Sequence, residues 1–379
     1  MSNVVVSGVG LTKFGTHEES SAKDLVLEAS VQALKDAGFP KIDAVYVGNF
    51  MSGMLNNQEV LGSIIANELG LGNIPTAKVE GACASAGIAF RQAYLMIQNG
   101  VYDHVLVAGV EKMKHAATQD VTKAINAAMD NGSSDKQAGL TFPAFFGLVA
   151  NRYFHETGAS KKHLALVALK NREYALNNPN AQFRKETSVE EILNARLITE
   201  PLGLFDCSPA TDGAAAVVLS KGENGVKIIA SGQASGPTQI EYIESLTSIP
   251  AIRESARIAY EQANLTPDDI DVVELHDCFS MTEIIAIEEL GFAEKGMGWK
   301  AIEDGETKHG GKVPVNTSGG LLSRGHPIGA TGLAQIIQIV LQLRGEAPNQ
   351  VHGAKIGLAQ NLGGTGAYST VHIFEKAGV

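Results

Sequence analysis

VQALKDAGFPKIDAVYV, Val31–Val47, and IAYEQANLTPDDIDVVEL, Ile258–Leu275, are two copies of one pattern, the second with a small insertion. Each reads as a helix, a turn and an apolar strand. The correspondence extends outwards. The opening strand VVVSGVG (Val4–Gly10) has its counterpart in VKIIASG (Val226–Gly232). The helix entered at Gly87 and the strand His104–Val110 correspond to the helix entered at Gly332 and the strand Lys355–Ala359. Ahead of Val31, the residues Ala22, Leu25, Val26, Ala29 and Ala33 share one helical face, and Gly38 with Pro40 stops that helix. The chain therefore reads as an α/β protein built from a duplicated β/α unit, with parallel pairing expected in layered sheets. The expected division is a first half at residues 1–115, an inserted loop domain at 116–200, a return to the first half at 201–224 and a second half at 225–379.

In open α/β sheets the functional loops lie at the carboxyl ends of the strands, and two duplicated halves meet at a crevice. GACASAG (Gly81–Gly87) sets Cys83 among tiny residues where a strand gives way to a helix. Two readings fit that placement: a nucleophile whose thiol pKa the helix N-terminus lowers, or a small cysteine packing a helix start. NTSGGLLSRGHPIGATG (Asn316–Gly332) sets His326 between Gly325 and Pro327. Proline holds the residue before it out of helical geometry, so this imidazole is expected to face a cavity, where it can act as a base. A third loop, His276-Asp277-Cys278-Phe279, follows the apolar run Ile270–Leu275, and a fourth, Gln360–Gly366, offers glycines for close approach of backbone N–H groups to an oxyanion. Convergence of a cysteine, a histidine and further polar loops favours catalysis over packing.

Together GACASAG, HDCF, SGGLLSRGHPIGATG and NNPNAQFR (Asn177–Arg184) make the whole chain resemble a thiolase. The resemblance is to the branch typified by the thiolase part of sterol carrier protein X and by archaeal acetyl-CoA acetyltransferases. It implies the thiolase fold, with duplicated βαβαβ halves in an α-β-α-β-α arrangement and an inserted loop domain. It also implies that His326 takes the proton of Cys83, whose sulfur carries the acyl group. Cys278 would exchange the α-proton of acetyl-CoA, His276 and His326 would polarise its thioester oxygen, and the N–H groups of Cys83 and Gly363 would hold a second oxyanion. Coenzyme A and acyl-CoA are then substrates, with no covalently bound cofactor and no metal. The inserted loop domain would hold coenzyme A through the basic region of Lys170, Arg172, Arg184 and Lys185, with Ser318 and Gly319. Two-cysteine thiolases carry Asn-Glu-Ala-Phe where this chain has HDCF, and a second cysteine where it has Asn361; the role of Cys278 rests on the branch resemblance. The expected assembly is a homodimer or tetramer. One alternative is the catalytic acyltransferase subunit of a complex with a zinc-ribbon/OB-fold partner, acting on a bulkier or aromatic 3-oxoacyl-CoA or a non-CoA acceptor. Another is a non-catalytic thiolase-fold protein.

Composition agrees with a cytoplasmic enzyme. The chain of 379 residues is 44% hydrophobic with 41 glycines, enough for a large layered core. Three widely spaced cysteines make no disulfide framework. A formal charge of −11 argues against nucleic-acid binding, no run is long and apolar enough for a membrane span, and neither end carries a recognisable address. Cys207 reads as structural and Asp277 as an organiser of loop backbone. Nothing gives His115 a role, and Met113, Phe142, Phe145 and Phe146 could line an acyl pocket or the core.

Overall fold

The computed structural model describes residues 2–378. Its strands are β1 (Val4–Leu11), β2 (Ala44–Gly48), β3 (Thr76–Val79), β4 (His104–Glu111), β5 (Leu197–Thr199), β6 (Leu202–Gly203), β7 (Gly213–Lys221), β8 (Val226–Ser235), β9 (Val272–Glu274), β10 (Ile356–Gly363) and β11 (Tyr368–Glu375). Apart from the small β5–β6 hairpin they line up as β3-β2-β4-β7-β1-β8-β11-β10-β9.

The duplication is visible in the pairing. In the first half β1 and β4 run antiparallel to β7, and β2 runs parallel to β4 and β3. In the second half β8 and β10 run antiparallel to β11, and β9 runs parallel to β10. The counterpart of β3 survives as a single parallel bridge, Val273 to Val315. Uniformly parallel pairing is thus corrected to a mixed sheet. The reason is plain at β11, which follows Gly363 by a tight turn that is too short for a crossover connection.

Strand residues alternate between two layers, as a period of two requires. Val105 and Val107 of β4 face the helices Ser85–Gln98 and Thr331–Arg344, whereas Leu106 and Ala108 face the helices Ala22–Asp36 and Leu61–Glu68. Val272, Ala359 and Phe374 join that same central layer from the second half, while Val273, Leu358 and Ile373 face outwards to the helices Pro250–Ala263 and Ser280–Glu289. The result is the expected α-β-α-β-α stack. The five face residues from Ala22 to Ala33 are all buried, and that helix ends at Asp36, ahead of Gly38.

The two central helices have apolar residues on nearly every side, because they are covered on every side. They touch at their first turns: a Cβ on Gly332 would sit 2.6 Å from the backbone nitrogen of Gly87. Only glycine permits that approach, and it brings the two loops that precede the helices together. Between β4 and β7 the chain forms helices that include Phe142–Glu156 and Lys161–Ala175; Phe145, Phe146, Val149 and Leu164 pack into the outer core of the second half. Among the described residues no helix is long and apolar enough to cross a membrane.

Candidate active site

Cys83 sits in a sharp elbow between β3 and the helix Ser85–Gln98. Ala82 takes a left-handed φ of 50°, unfavourable for an alanine. The elbow is braced by Ser85, whose hydroxyl accepts from the Gly81 nitrogen at 3.0 Å and donates to the Ala82 carbonyl at 2.6 Å. The turn lifts the sulfur to the edge of the sheet, half-buried, against Met51, Met113 and Ile328.

The sequence-predicted loops converge there. The Cys83 sulfur and a ring nitrogen from each of His276 and His326 lie within 4.8 Å of one another. The two rings meet edge to face, centroids 5.1 Å apart. Cys278 is buried beside them, with its sulfur 3.7 Å from the Thr282 hydroxyl.

The hydrogen bonds accommodate opposite tautomers of the two imidazoles. Thr331 Oγ1 lies 3.0 Å from the Pro327 carbonyl and 2.7 Å from His326 Nδ1. With the hydroxyl proton directed at the carbonyl it accepts from Nδ1–H, and His326 then presents a bare Nε2. Asn361 Nδ2 lies 3.0 Å from His276 Nδ1, and with the amide in this orientation it donates. His276 therefore presents a protonated Nε2. One histidine is set to take a proton and the other to give a hydrogen bond.

Burial holds all four groups neutral at rest. The Cys83 thiol is pushed up to about 12 by burial, opposed by the backbone N–H of Gly364 and by its own. His326 is driven down to about 3, mainly by burial and then by the Arg324 charge; His276 falls well below the usual range for the same first reason. Cys278 rises well above an ordinary thiol, again through burial. Burial thus raises the thiol, opposite to the lowering expected at the helix end.

Two further expectations change. Gly363 still pairs with Tyr368 in the ladder, and the N–H that reaches the sulfur is that of Gly364. The contribution of Gly363 is room, since a Cβ there would lie 2.4 Å from the Gly81 carbonyl oxygen. Ser318 and Gly319 do not face a ligand. Ser318 is buried, its nitrogen and hydroxyl donating to Glu274 at 3.0 and 2.6 Å, and Gly319 packs on Ala175. In the same loop Arg324 is buried 3.4 Å from Glu274. Lys170 is likewise internal, paired at 2.5 Å with Glu283.

The remaining basic residues lie apart from the sulfur. Arg172 is half-buried, its guanidinium 4.2 Å from the Phe183 ring centre and 5.0 Å from that of Phe205. Burial lowers it only to about 10, so it stays cationic. Arg184 is exposed and donates to the Leu176 carbonyl, and Lys185 is exposed beside it.

Asp277 does organise backbone: it accepts from Leu321 N at 2.7 Å, Leu322 N at 3.2 Å and Asn171 Nδ2 at 2.7 Å. Phe145 and Phe146 belong to the core, Phe146 stacking on Phe279 at 4.7 Å, and His115 is exposed, bonded to the Leu55 carbonyl. Sequence reasoning missed Glu111. This buried carboxylate accepts from Phe50 N, Met51 N, Asn49 Nδ2 and Gly329 N, tying the loops around Cys83 together. An acid at the end of the apolar run HVLVAGVE was the available signal, and VVE at Glu274 repeats it.

A paired thiol and base beside aligned N–H donors, on a duplicated α-β-α-β-α scaffold, defines an acyl-transfer centre. The description "Thiolase, N-terminal domain" matches residues 4–223 and "Thiolase C-terminal domain-like" matches residues 232–376. The chain belongs to the thiolase family and is an acyltransferase of that family. It is 46% identical to the acetyl-CoA acetyltransferase of Methanothermobacter thermautotrophicus, covering 99% of this chain and 100% of the relative. It is 36% identical to rabbit (Oryctolagus cuniculus) sterol carrier protein 2 over 96% of this chain and 70% of the relative. Among solved structures, the Ltp2-ChsH2(DUF35) aldolase superposes with a TM-score of 0.86 at 27% identity, over 99% of this chain and 98% of that one.

Proposed function

We propose that this chain forms or cleaves a 3-ketoacyl-CoA, such as acetoacetyl-CoA, with the acyl group carried on Cys83. The observation that supports it is the convergence of one thiol and two imidazoles within 4.8 Å. In cleavage, His326 Nε2 takes the thiol proton as the sulfur bonds to the 3-keto carbon. The oxyanion formed is held by the N–H groups of Cys83 and Gly364. The C2–C3 bond then breaks and its electrons pass to the departing acetyl-CoA as an enolate. His276 Nε2–H stabilises the enolate oxygen, and Cys278 returns a proton to C2. Free coenzyme A gives its thiol proton to Cys278 and attacks the acyl-cysteine, and His326 returns its proton to the departing Cys83 sulfur. Formation of the 3-ketoacyl-CoA is the reverse.

Coenzyme A enters this scheme as a substrate, and Arg172, Arg184 and Lys185 are proposed to hold its phosphates. The halves at 1–115 with 201–224 and 225–379, with the insertion at 116–200, are proposed as the working divisions. A cytoplasmic homodimer or tetramer is the proposed assembly.

Intact-protein mass after mixing with acetoacetyl-CoA tests the scheme. An acetyl-sized adduct on the wild type, absent from Cys83→Ala, is expected, together with coenzyme A turnover. Equal adduct on both proteins would sink it.

A second reading has the chain as the catalytic subunit of a complex with a zinc-ribbon/OB-fold protein, acting on a bulkier acyl group. Exposed Leu148, Leu193, Leu197, Ile198 and Leu204, on and beside the β5–β6 hairpin, favour a partner surface. Turnover of aromatic or branched ketoacyl-CoAs only after addition of such a partner would select this reading.

A further inference from the structure

We propose that Cys83, His276 and His326 also form a binding site for a thiophilic divalent cation, Zn2+, and that its occupation shuts the enzyme reversibly. One thiol and two imidazoles are the donors of a three-ligand zinc site that leaves a fourth position open. Their donor atoms already lie within 4.8 Å of one another. Zinc bonds of about 2.0–2.3 Å set tetrahedral ligand separations of about 3.3–3.7 Å, so closure needs side-chain shifts of about an ångström.

The surroundings have the form of a metal site as well. Ligating histidines are normally held by a hydrogen bond to the ring nitrogen that does not bind. Both rings have that arrangement: His326 Nδ1 is tied to Thr331 and His276 Nδ1 to Asn361, so each has Nε2 left over. His326 Nε2 already presents a lone pair. For His276 the proton must move to Nδ1, and Asn361 must turn its amide so that oxygen faces the ring. That oxygen, Asn361 Oδ1, is buried and has no hydrogen-bond partner in the resting structure. The flip gives it one.

The step balances as an exchange of one proton for one cation. Zn2+ bonds to the Cys83 sulfur and the two Nε2 atoms, and the thiol proton leaves to solvent. No electron moves. The Arg324 charge opposes the cation, while Glu111 and Glu80 and the new thiolate favour it. The metal occupies the sulfur that the acyl group needs, so substrate and zinc exclude each other.

Cobalt(II) serves as a visible probe for the same ligands. Titrating the purified full-length chain with Co2+ should give a thiolate-to-cobalt charge-transfer band, one bound metal and one released proton per chain, and displacement by Zn2+. The band should vanish in Cys83→Ala and persist in Cys207→Ser, the other half-buried cysteine. Asn361→Asp should tighten Zn2+ binding, and Thr331→Val should weaken it, each by about tenfold to a hundredfold. Zn2+ should also block alkylation of Cys83 and raise the apparent KM for acyl-CoA without lowering kcat.

Loss of the cobalt band in Cys207→Ser, or undiminished Zn2+ affinity in Cys83→Ala with circular dichroism unchanged, would overturn the site. The inhibition rests on Cys83 being the acyl carrier, whereas the binding does not. A cobalt band without an acyl adduct therefore rejects the proposed function and keeps the metal site; an adduct without a band does the reverse.

Discussion

The two halves use the same device to different ends. In the first, a side chain of β4, Glu111, reaches across and accepts the backbone N–H groups of the loop after β2, at Phe50 and Met51. In the second, a side chain of the equivalent strand β10, Gln360, accepts the N–H of His276 in the loop after β9, at 3.0 Å. One is a carboxylate and the other a neutral amide. The loop after β2 is a wall of Asn49, Phe50 and Met51 around the sulfur, and tolerates a nearby charge that keeps the thiol protonated until a base takes the proton. The loop after β9 carries a buried imidazole, and a carboxylate there would favour its cationic form. Duplication supplied the frame, and the polarity of one strand residue in each half separates the nucleophile side from the acid–base side.

The largest expected effects fall on the chemistry that the halves share. Cys83→Ala should lower kcat by on the order of 10⁴-fold or more, and His326→Ala by about 10²- to 10⁴-fold, in steady-state thiolysis. Equal, small effects of both would erase the distinction between nucleophile and base.

Asp277→Ala probes the frame of the second half. It strips the acceptor from Leu321 N, Leu322 N and Asn171 Nδ2, and should cost about 3–9 kcal/mol in urea unfolding, at about 1–3 kcal/mol for each bare donor. Retention of full stability would mean that water replaces the carboxylate.

Glu111 makes the matching test in the first half. Its pKa is raised from 4.5 to about 7, chiefly by burial. The folded protein therefore binds this proton more tightly than the unfolded chain does. The associated stability is fully present below pH about 4.5 and is lost as pH rises through about 7, up to about 3 kcal/mol in all. Glu111→Gln should flatten that part of the stability–pH curve, and an unchanged slope would assign it elsewhere. The smallest effect is expected at Arg172→Ala, with KM for coenzyme A rising about fivefold and kcat unchanged, on the order of 1 kcal/mol of binding to an exposed phosphate.

The duplicated frame was legible because period and spacing carry it: the repeat at Val31–Val47 and Ile258–Leu275 positioned the strands, and glycine-rich segments marked the loops. The pairing direction of β7 and β11 was not legible, since apolar strands read alike in either direction. Cys83, His276, Cys278 and His326 stood out as chemical residue types in loops. The opposite error arose at Ser318 and Gly319, where a polar, glycine-rich string looked like a ligand loop. The nitrogen and hydroxyl of Ser318 are consumed by Glu274, a partner 44 positions away in sequence. Glu111 escaped notice because a buried acid shows its purpose only through four donors drawn from two separate segments.

The helix that follows Cys83 lies in the middle layer, covered by strands of both halves and by its twin from the second half. Local fluctuations open the parts of a protein with the least packing first, and this helix is among the last that they can reach. The nucleophile is therefore coupled to the global cooperativity of the molecule rather than to the mobility of a surface lid. Amide hydrogen exchange in this helix is expected to track global unfolding.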